Sequence, residues 1–477
     1  MLFSSMEFLL IFLPAAVGGS LLIRGKAGNY WLLACSLLFY AWGEPSFVLV
    51  MLGSIAVNYA LALLIARSPA GGGRRKVLLA ADVFCNLSVL FVFKYLNFVT
   101  RTLRAWFPGL MPLVPETSIL LPIGISFFTF QALSYVIDVY RGTPAQRNPA
   151  YLGLYISLFP QLIAGPIVRY GTIAEQFEHR RITGEDFAEG ALTFLRGFNK
   201  KILLANVLAE NADAAFAAGG LSTGMAWLGA VCYMLQIYFD FGGYSDMAIG
   251  LGRMLGFRFE KNFDHPYMAR TVSEFWRRWH ISLGSWFRDY VYFPLGGSRV
   301  RSRGRLVLNL MTVWLLTGIW HGAEWTFLLW GLLYGVLITA EKLTGLPARL
   351  ERPGRGAART LYRAFTLGAV LLGWVLFRAE NLAQAGAYLG MMFGRGAGAA
   401  EGEALFRLRD YAAVLCAGVL CATPVFSRLR EKLAGDGEGW RAAAAEALSW
   451  TVQLALFVCG IGALLMGAHN PFIYFNF

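Results

Sequence analysis

Apolar runs of about 17–25 residues, the length a helix needs to cross a hydrocarbon core of roughly 30 Å, recur from one end of this 477-residue chain to the other. Inside a bilayer each such run must satisfy its own backbone, so helices are the economical solution. Composition agrees: 57% of the residues are hydrophobic and 15% charged, more apolar surface than a soluble domain of this size hides. The expectation is an all-α integral membrane protein in which residues 1–477 form a single polytopic domain, not a soluble enzyme with an anchor.

Basic loops orient the spans. The first run, about 8–23, ends at Arg24 and Lys26, which puts the N-terminus outside. Runs near 30–43 and 46–66 meet at Gly43-Glu44-Pro45 and return to a cytoplasmic loop holding Arg67, Arg74, Arg75 and Lys76. A span near 77–94 and a return near 118–139 bring Arg141 and Arg147 inside, although Arg101 and Arg104 between them run against the rule. Near the other end, Arg428, Arg430, Lys432 and Arg441 separate a run at about 410–426 from a last one at about 444–467, so the C-terminus also points outside. Further runs lie near 151–168, 190–206, 225–255, 306–340, 358–377 and 383–394. Together they predict about 11 membrane helices plus re-entrant and interfacial ones. The N-terminal segment carries Glu7 where a signal peptide carries a basic residue, and reads as a retained span.

Net charge is +13, but the basic residues concentrate in short loops, which fits membrane topology better than an anionic partner such as a nucleotide; no nucleic acid is expected. The six cysteines, Cys35, Cys85, Cys232, Cys416, Cys421 and Cys459, are scattered through apolar stretches without CxxC pairs or histidine partners at ligand spacing, so no metal site is expected.

Chemistry concentrates in the longest apolar run. Leu306 to Ala340 exceeds one crossing and falls short of two with a loop, so it must break in the middle, where Trp320-His321-Gly322-Ala323-Glu324-Trp325 stands. An imidazole and a carboxylate at that depth are costly in lipid, which makes His321 a functional candidate; Glu324 either orients the ring or marks the end of the buried segment. A second histidine lies in Trp276-Arg277-Arg278-Trp279-His280-Ile281-Ser282-Leu283. At helical spacing Trp276, Trp279, His280, Leu283, Trp286, Phe287 and Tyr290 share a face opposite most of the arginines, the pattern of an interfacial helix. Asp240 and Asp246, in Phe239-Asp240-Phe241-Gly242-Gly243-Tyr244-Ser245-Asp246, need partners: either Arg277, Arg278 or Arg288, a structural pairing, or the substrate. Phe159-Pro160-Gln161 should break a span where protein or water satisfies the backbone.

The blocks LLPIGISFFTFQALSYVIDVYRG, LFPQLIAGPIVRY, YFDFGGYSDMAIGLGRMLGF, FWRRWHISLGSWFRDYVYFPLGG and GIWHGAEWTFLLWGLLYG closely resemble the membrane-bound O-acyltransferases, in the bacterial branch to which the membrane subunit of alginate O-acetylation belongs. The likeness runs from FSSMEFLLIFLP to the final FIYFNF. It implies helices around a central tunnel, His321 as the catalytic histidine, His280 as the second motif histidine, acetyl-CoA as a cytoplasmic acyl donor with no bound cofactor, and a bacterial inner-membrane location. It further implies an extracytoplasmic SGNH-like polysaccharide O-acetyltransferase and the polymer-secretion machinery as partners. The aromatic tail, 468–477, either settles at the interface or supplies Tyr474 as an acyl-carrying phenol, as in a relay proposed for this branch. D-alanyl transfer to teichoic acid, a transporter or channel, and a purely structural secretion subunit are the alternatives; which polymer is modified is not legible in the residues.

Overall fold

A computed structural model describes residues 1–477 except 24, 111–113, 396–400, 436–438, 468–471 and 474–477. Among the described residues every regular element is a helix. Five of them are long and apolar enough to span a membrane: Val48–Arg67, Gly73–Trp106, Trp325–Thr344, Gly356–Arg378 and Gly439–Leu465. Ala412–Cys421 and Val425–Ala434, bent by 63° at their junction, pass the same test as a pair. Thr223–Met254 and Arg303–His321 have the length of a crossing, but Gln236, Asp240 and Asp246 in one and Arg303, Arg305 and Asn309 in the other dilute their apolarity.

The chain divides into two compact units. The first comprises residues 1–194 and 247–260. Its Ile125–Arg141 helix packs on both Val48–Arg67 and Gly73–Leu90. Arg75 caps the far end of Ile125–Arg141 by donating to the last-turn carbonyls of Val139, which also accepts the Gly142 N–H, and Tyr140. Asn58 and Asn86 exchange side-chain amide bonds between the other two helices, so these two buried amides satisfy each other. Phe3, Phe8, Phe12, Phe39 and Phe159 interlock into an aromatic core through edge-to-face, tilted and stacked contacts. The expected break at Phe159-Pro160 is present: one helix ends at Ser157 and a single turn starts at Phe159. The freed backbone is satisfied internally, since Phe159 N–H donates to Ser36 Oγ and the Gln161 amide to the Tyr155 carbonyl.

The second unit comprises residues 195–246 and 261–477 and carries both candidate histidines. The long apolar run breaks where expected, giving helices Arg303–His321 and Trp325–Thr344 with a short extended segment between them. They pack closely because both contact faces lack side chains: a Cβ on Gly331 would lie 2.5 Å from the Trp314 carbonyl oxygen, and one on Gly318 would lie 2.5 Å from that of Phe327.

Two local expectations are corrected. Residues 273–290 are not one amphipathic helix: Val272–Arg278 and Ile281–Phe287 are separated at Trp279 and His280, with His280 at φ 46°, ψ 55°. Nor do the acids pair with the arginines of that segment. Lys201 pairs with Asp240, and Lys200 with Asp246 at 2.6 Å. The cause is Gly243, whose missing Cβ lets the backbone of Gly197 and Lys201 come within 2.7–3.2 Å of where it would stand, delivering both lysines to this helix face. Arg278 turns instead to Glu274 and Asp264, and Arg288 to its neighbour Asp289.

Candidate active site

The His280 segment is built from its N-terminal end. Thr271 accepts the Glu274 N–H, and the Glu274 carboxylate reaches back to the Arg270 N–H, a variant of the capping box. Two more orphan N–H groups, of Val272 and Ser273, donate at 2.7 and 2.8 Å to the buried carboxylate of Glu341, which also accepts from Tyr362. Glu341 belongs to Trp325–Thr344, so the helix beside His321 fixes the start of the segment that ends at His280.

What holds the break is Asn262. Its backbone carbonyl accepts Ile281 N–H, and its Oδ1 accepts the Ser282 N–H at 3.2 Å and hydroxyl at 2.9 Å; His280 Nδ1 lies 3.2 Å from the same oxygen. The Asn262 amide nitrogen donates to Ser245 at 3.0 Å. Because a backbone N–H can only donate, the amide cannot be flipped, and His280 Nδ1 must carry the proton. Nε2 is therefore the acceptor nitrogen. Burial pushes the imidazole down to about 3, so it stays neutral. Phe241 meets the ring edge to face at 4.7 Å, and Trp320 lies 6.0 Å away.

His321 is the last residue of its helix and is buried. Its ring is enclosed by Trp320 and Trp330, each at 5.0 Å, and Phe377 at 5.2 Å. Trp320 thus touches both imidazoles, and the two histidines, 41 positions apart in sequence, share one aromatic cluster. Glu324 takes the N-cap position of Trp325–Thr344 in extended conformation and is half-buried. Tyr474 lies outside the described residues, but the dipeptide before it does not: Phe472 and Ile473 are buried, and Phe472 stacks on Tyr244 at 4.8 Å beside Phe241.

Sequence reasoning missed Asn262, Ser245 and Glu341. Ser245 lies inside the YFDFGGYSDMAIGLGRMLGF block, where only its acidic neighbours stand out, and Asn262 and Glu341 lie outside the quoted blocks.

Such a site offers two buried imidazoles within an aromatic enclosure, suited to proton transfer at a buried acyl group. Comparison with known proteins identifies the family. The sequence profile of the MBOAT, membrane-bound O-acyltransferase family matches residues 147–355, which include both histidines. The chain is 40% identical over 503 aligned positions to "Probable alginate O-acetylase AlgI" of Pseudomonas putida, covering 100% of both chains. It is 34% identical to "Peptidoglycan O-acetyltransferase" of Helicobacter pylori, over 81% of this chain and 78% of that one. Similarity to "Teichoic acid D-alanyltransferase" of Bacillus subtilis is lower, 29% over 47% of this chain and 60% of the other. The chain belongs to the membrane-bound O-acyltransferase family and is a multi-pass membrane acyltransferase.

Proposed function

We propose that the protein takes acetyl groups from acetyl-CoA at the cytoplasmic face of the bacterial inner membrane and passes them outward for O-acetylation of an extracytoplasmic polysaccharide. The observation that carries this reading is the pairing of His280 and His321 around Trp320 in a chain matched end to end by a relative named for alginate O-acetylation. The weaker, half-length likeness to the teichoic acid enzyme supports acetyl over D-alanyl transfer.

A thioester is already activated, so transfer needs a positioned hydroxyl, a base and donors for the developing oxyanion. His321 is assigned the base: it takes the hydroxyl proton as the oxygen bonds to the acetyl carbon, the C–S bond breaks, and the proton goes on to the departing thiolate. His280, neutral and protonated on Nδ1, suits the holding of a donor N–H through Nε2 better than polarisation of a carbonyl, which requires a donor. Tyr474 is assigned the accepting phenol, from which a partner of the SGNH type, working with the secretion machinery, collects the acetyl group. A phenol of ordinary pKa about 10 needs such a base, and its ester remains reactive enough to pass the group on.

The test is genetic and chemical. Deletion should leave polymer synthesis intact and remove its O-acetyl esters, read by NMR of the purified polymer, while Tyr474→Phe should give the same ester loss with normal membrane insertion. Full acetylation in Tyr474→Phe would eliminate the phenol relay, and loss of the polymer itself on deletion would eliminate the acetyl-carrier role.

A further inference from the structure

Asp240 sits at the centre of a contact that the chemistry above does not use. It is buried, pairs through Oδ1 with the equally buried Lys201, and through Oδ2 accepts the backbone N–H of Ile473 at 2.7 Å. On the same helix face, Tyr244 stacks against Phe472 at 4.8 Å with a 28° interplanar angle, and Phe241 lies 6.1 Å from Phe472 on one side and 4.7 Å from His280 on the other. Positions 240, 241 and 244 are one helical turn, so a polar clamp and an aromatic shelf receive the same two residues of the chain end.

We propose that Asp240 is the anchor of the C-terminal segment and a positioning residue for acyl transfer, holding Phe472–Ile473 against the wall of the His280 pocket. A buried ion pair is a poor device for joining two helices, since well-packed apolar residues of similar volume do as well or better once desolvation is counted. What an aspartate supplies that an apolar residue does not is a second acceptor oxygen, and that oxygen is given to a main-chain N–H more than 200 residues away. Lys201 sets a positive charge against the carboxylate and so favours its ionised form, in which an acceptor binds an N–H roughly twice as strongly as a neutral one. Phe241 makes the link direct: the ring that packs on His280 is also a neighbour of the docked tail. The inference rests on the preceding reading only in its consequence for transfer; the anchoring itself is independent of Tyr474.

The experiment uses the full chain in detergent, digested with a carboxypeptidase and followed by intact mass, with acetyl transfer from labelled acetyl-CoA measured in parallel. Asp240→Leu with Lys201→Met removes the acceptor without stranding a charge; Ile473→Pro removes the donor N–H together with the buried isoleucine side chain and leaves the ion pair intact, and Ile473→Ala, which keeps the N–H, controls for the side chain. With a serine carboxypeptidase that removes proline as well as isoleucine, both Asp240→Leu with Lys201→Met and Ile473→Pro should release residues 473 and 472 at least tenfold faster than the unsubstituted chain and lose at least tenfold in transfer. Asp240→Asn with Lys201→Met keeps an acceptor and should stay within about threefold on both readouts. Should the leucine–methionine variant fail to elute as a folded species, Ile473→Pro decides alone. Unchanged release in Ile473→Pro overturns the anchor, and faster release with undiminished transfer overturns its positioning role. Full transfer in Tyr474→Phe beside a loss in Ile473→Pro would remove the phenol relay and leave the anchor standing.

Discussion

Replacing Asn262 with alanine should disable the protein without touching either histidine. Asn262 Oδ1 is the shared acceptor of the Ser282 N–H, the Ser282 hydroxyl and His280 Nδ1–H, and all three residues are buried. Leaving one buried donor unsatisfied costs about 1–3 kcal/mol. The hydroxyl can rotate toward another acceptor and the imidazole can change tautomer, but the backbone N–H has no such freedom, so the expected loss of stability is about 2–4 kcal/mol. The tautomer carries the functional consequence. With its Nδ1 acceptor gone, His280 is free to place the proton on Nε2, which turns the acceptor nitrogen into a donor facing the N–H it should hold; transfer should fall by about 10-fold or more even in the folded fraction, the scale of leaving one buried donor unsatisfied. Denaturant unfolding in detergent gives the first quantity, and label transfer normalised to folded protein gives the second. Asn262→Asp supplies the control, because a carboxylate still accepts the Ser282 N–H and restores stability while favouring the imidazolium of His280, which moves the pH profile of transfer to higher pH. Wild-type stability and transfer in Asn262→Ala would refute the reasoning about the break at His280.

His280 itself separates backbone from ring. At φ 46° a non-glycine residue costs about 1–2 kcal/mol, so His280→Gly should unfold later than His280→Ala by about 1 kcal/mol while both lose transfer equally; denaturation midpoints of the two variants check it. The same residue predicts a pH effect on stability. Its folded-state pKa, about 3, lies below the ordinary 6.5, so above 6.5 neither state takes up a proton, and as pH falls from 6.5 toward 3 the unfolded chain gains one that the folded chain refuses. At pH 5 this removes about 2 kcal/mol, read as the difference in unfolding free energy between pH 7.5 and 5, and His280→Gln should abolish that part of the slope.

The parts of this fold legible in the sequence are those set by length and period. A run from Leu306 to Ala340 has too many residues for one crossing and too few for two, and it breaks after His321 as that arithmetic requires. Phe159-Pro160 breaks its span because proline cannot donate, and the structure supplies Ser36 and Gln161 to repair the ladder. The His280 segment was misread because Trp276, Trp279, Leu283 and Trp286 keep helical spacing across a residue that is not helical. Period alone does not see a single left-handed position held open by Asn262, 18 residues upstream. Likewise nothing in the spacing of Asp240 and Asp246 chooses lysines over arginines; the choice is made by Gly243, through how closely two backbones approach. Both histidines were legible as polar groups in costly surroundings, whereas the tryptophan that joins them was legible only as one aromatic among many.

The most direct measurement of the central claim is transfer of labelled acetyl from acetyl-CoA by the purified protein in lipid vesicles, comparing the unsubstituted chain with His321→Ala and His321→Gln at matched folded abundance. Removal of a general base costs about 10²–10⁴-fold, so both variants should insert and fold normally yet transfer at no more than about 1% of the unsubstituted rate, glutamine failing like alanine because it is polar but takes up no proton. Near-normal transfer by either variant would contradict the account and return His321 to a packing role within its aromatic enclosure.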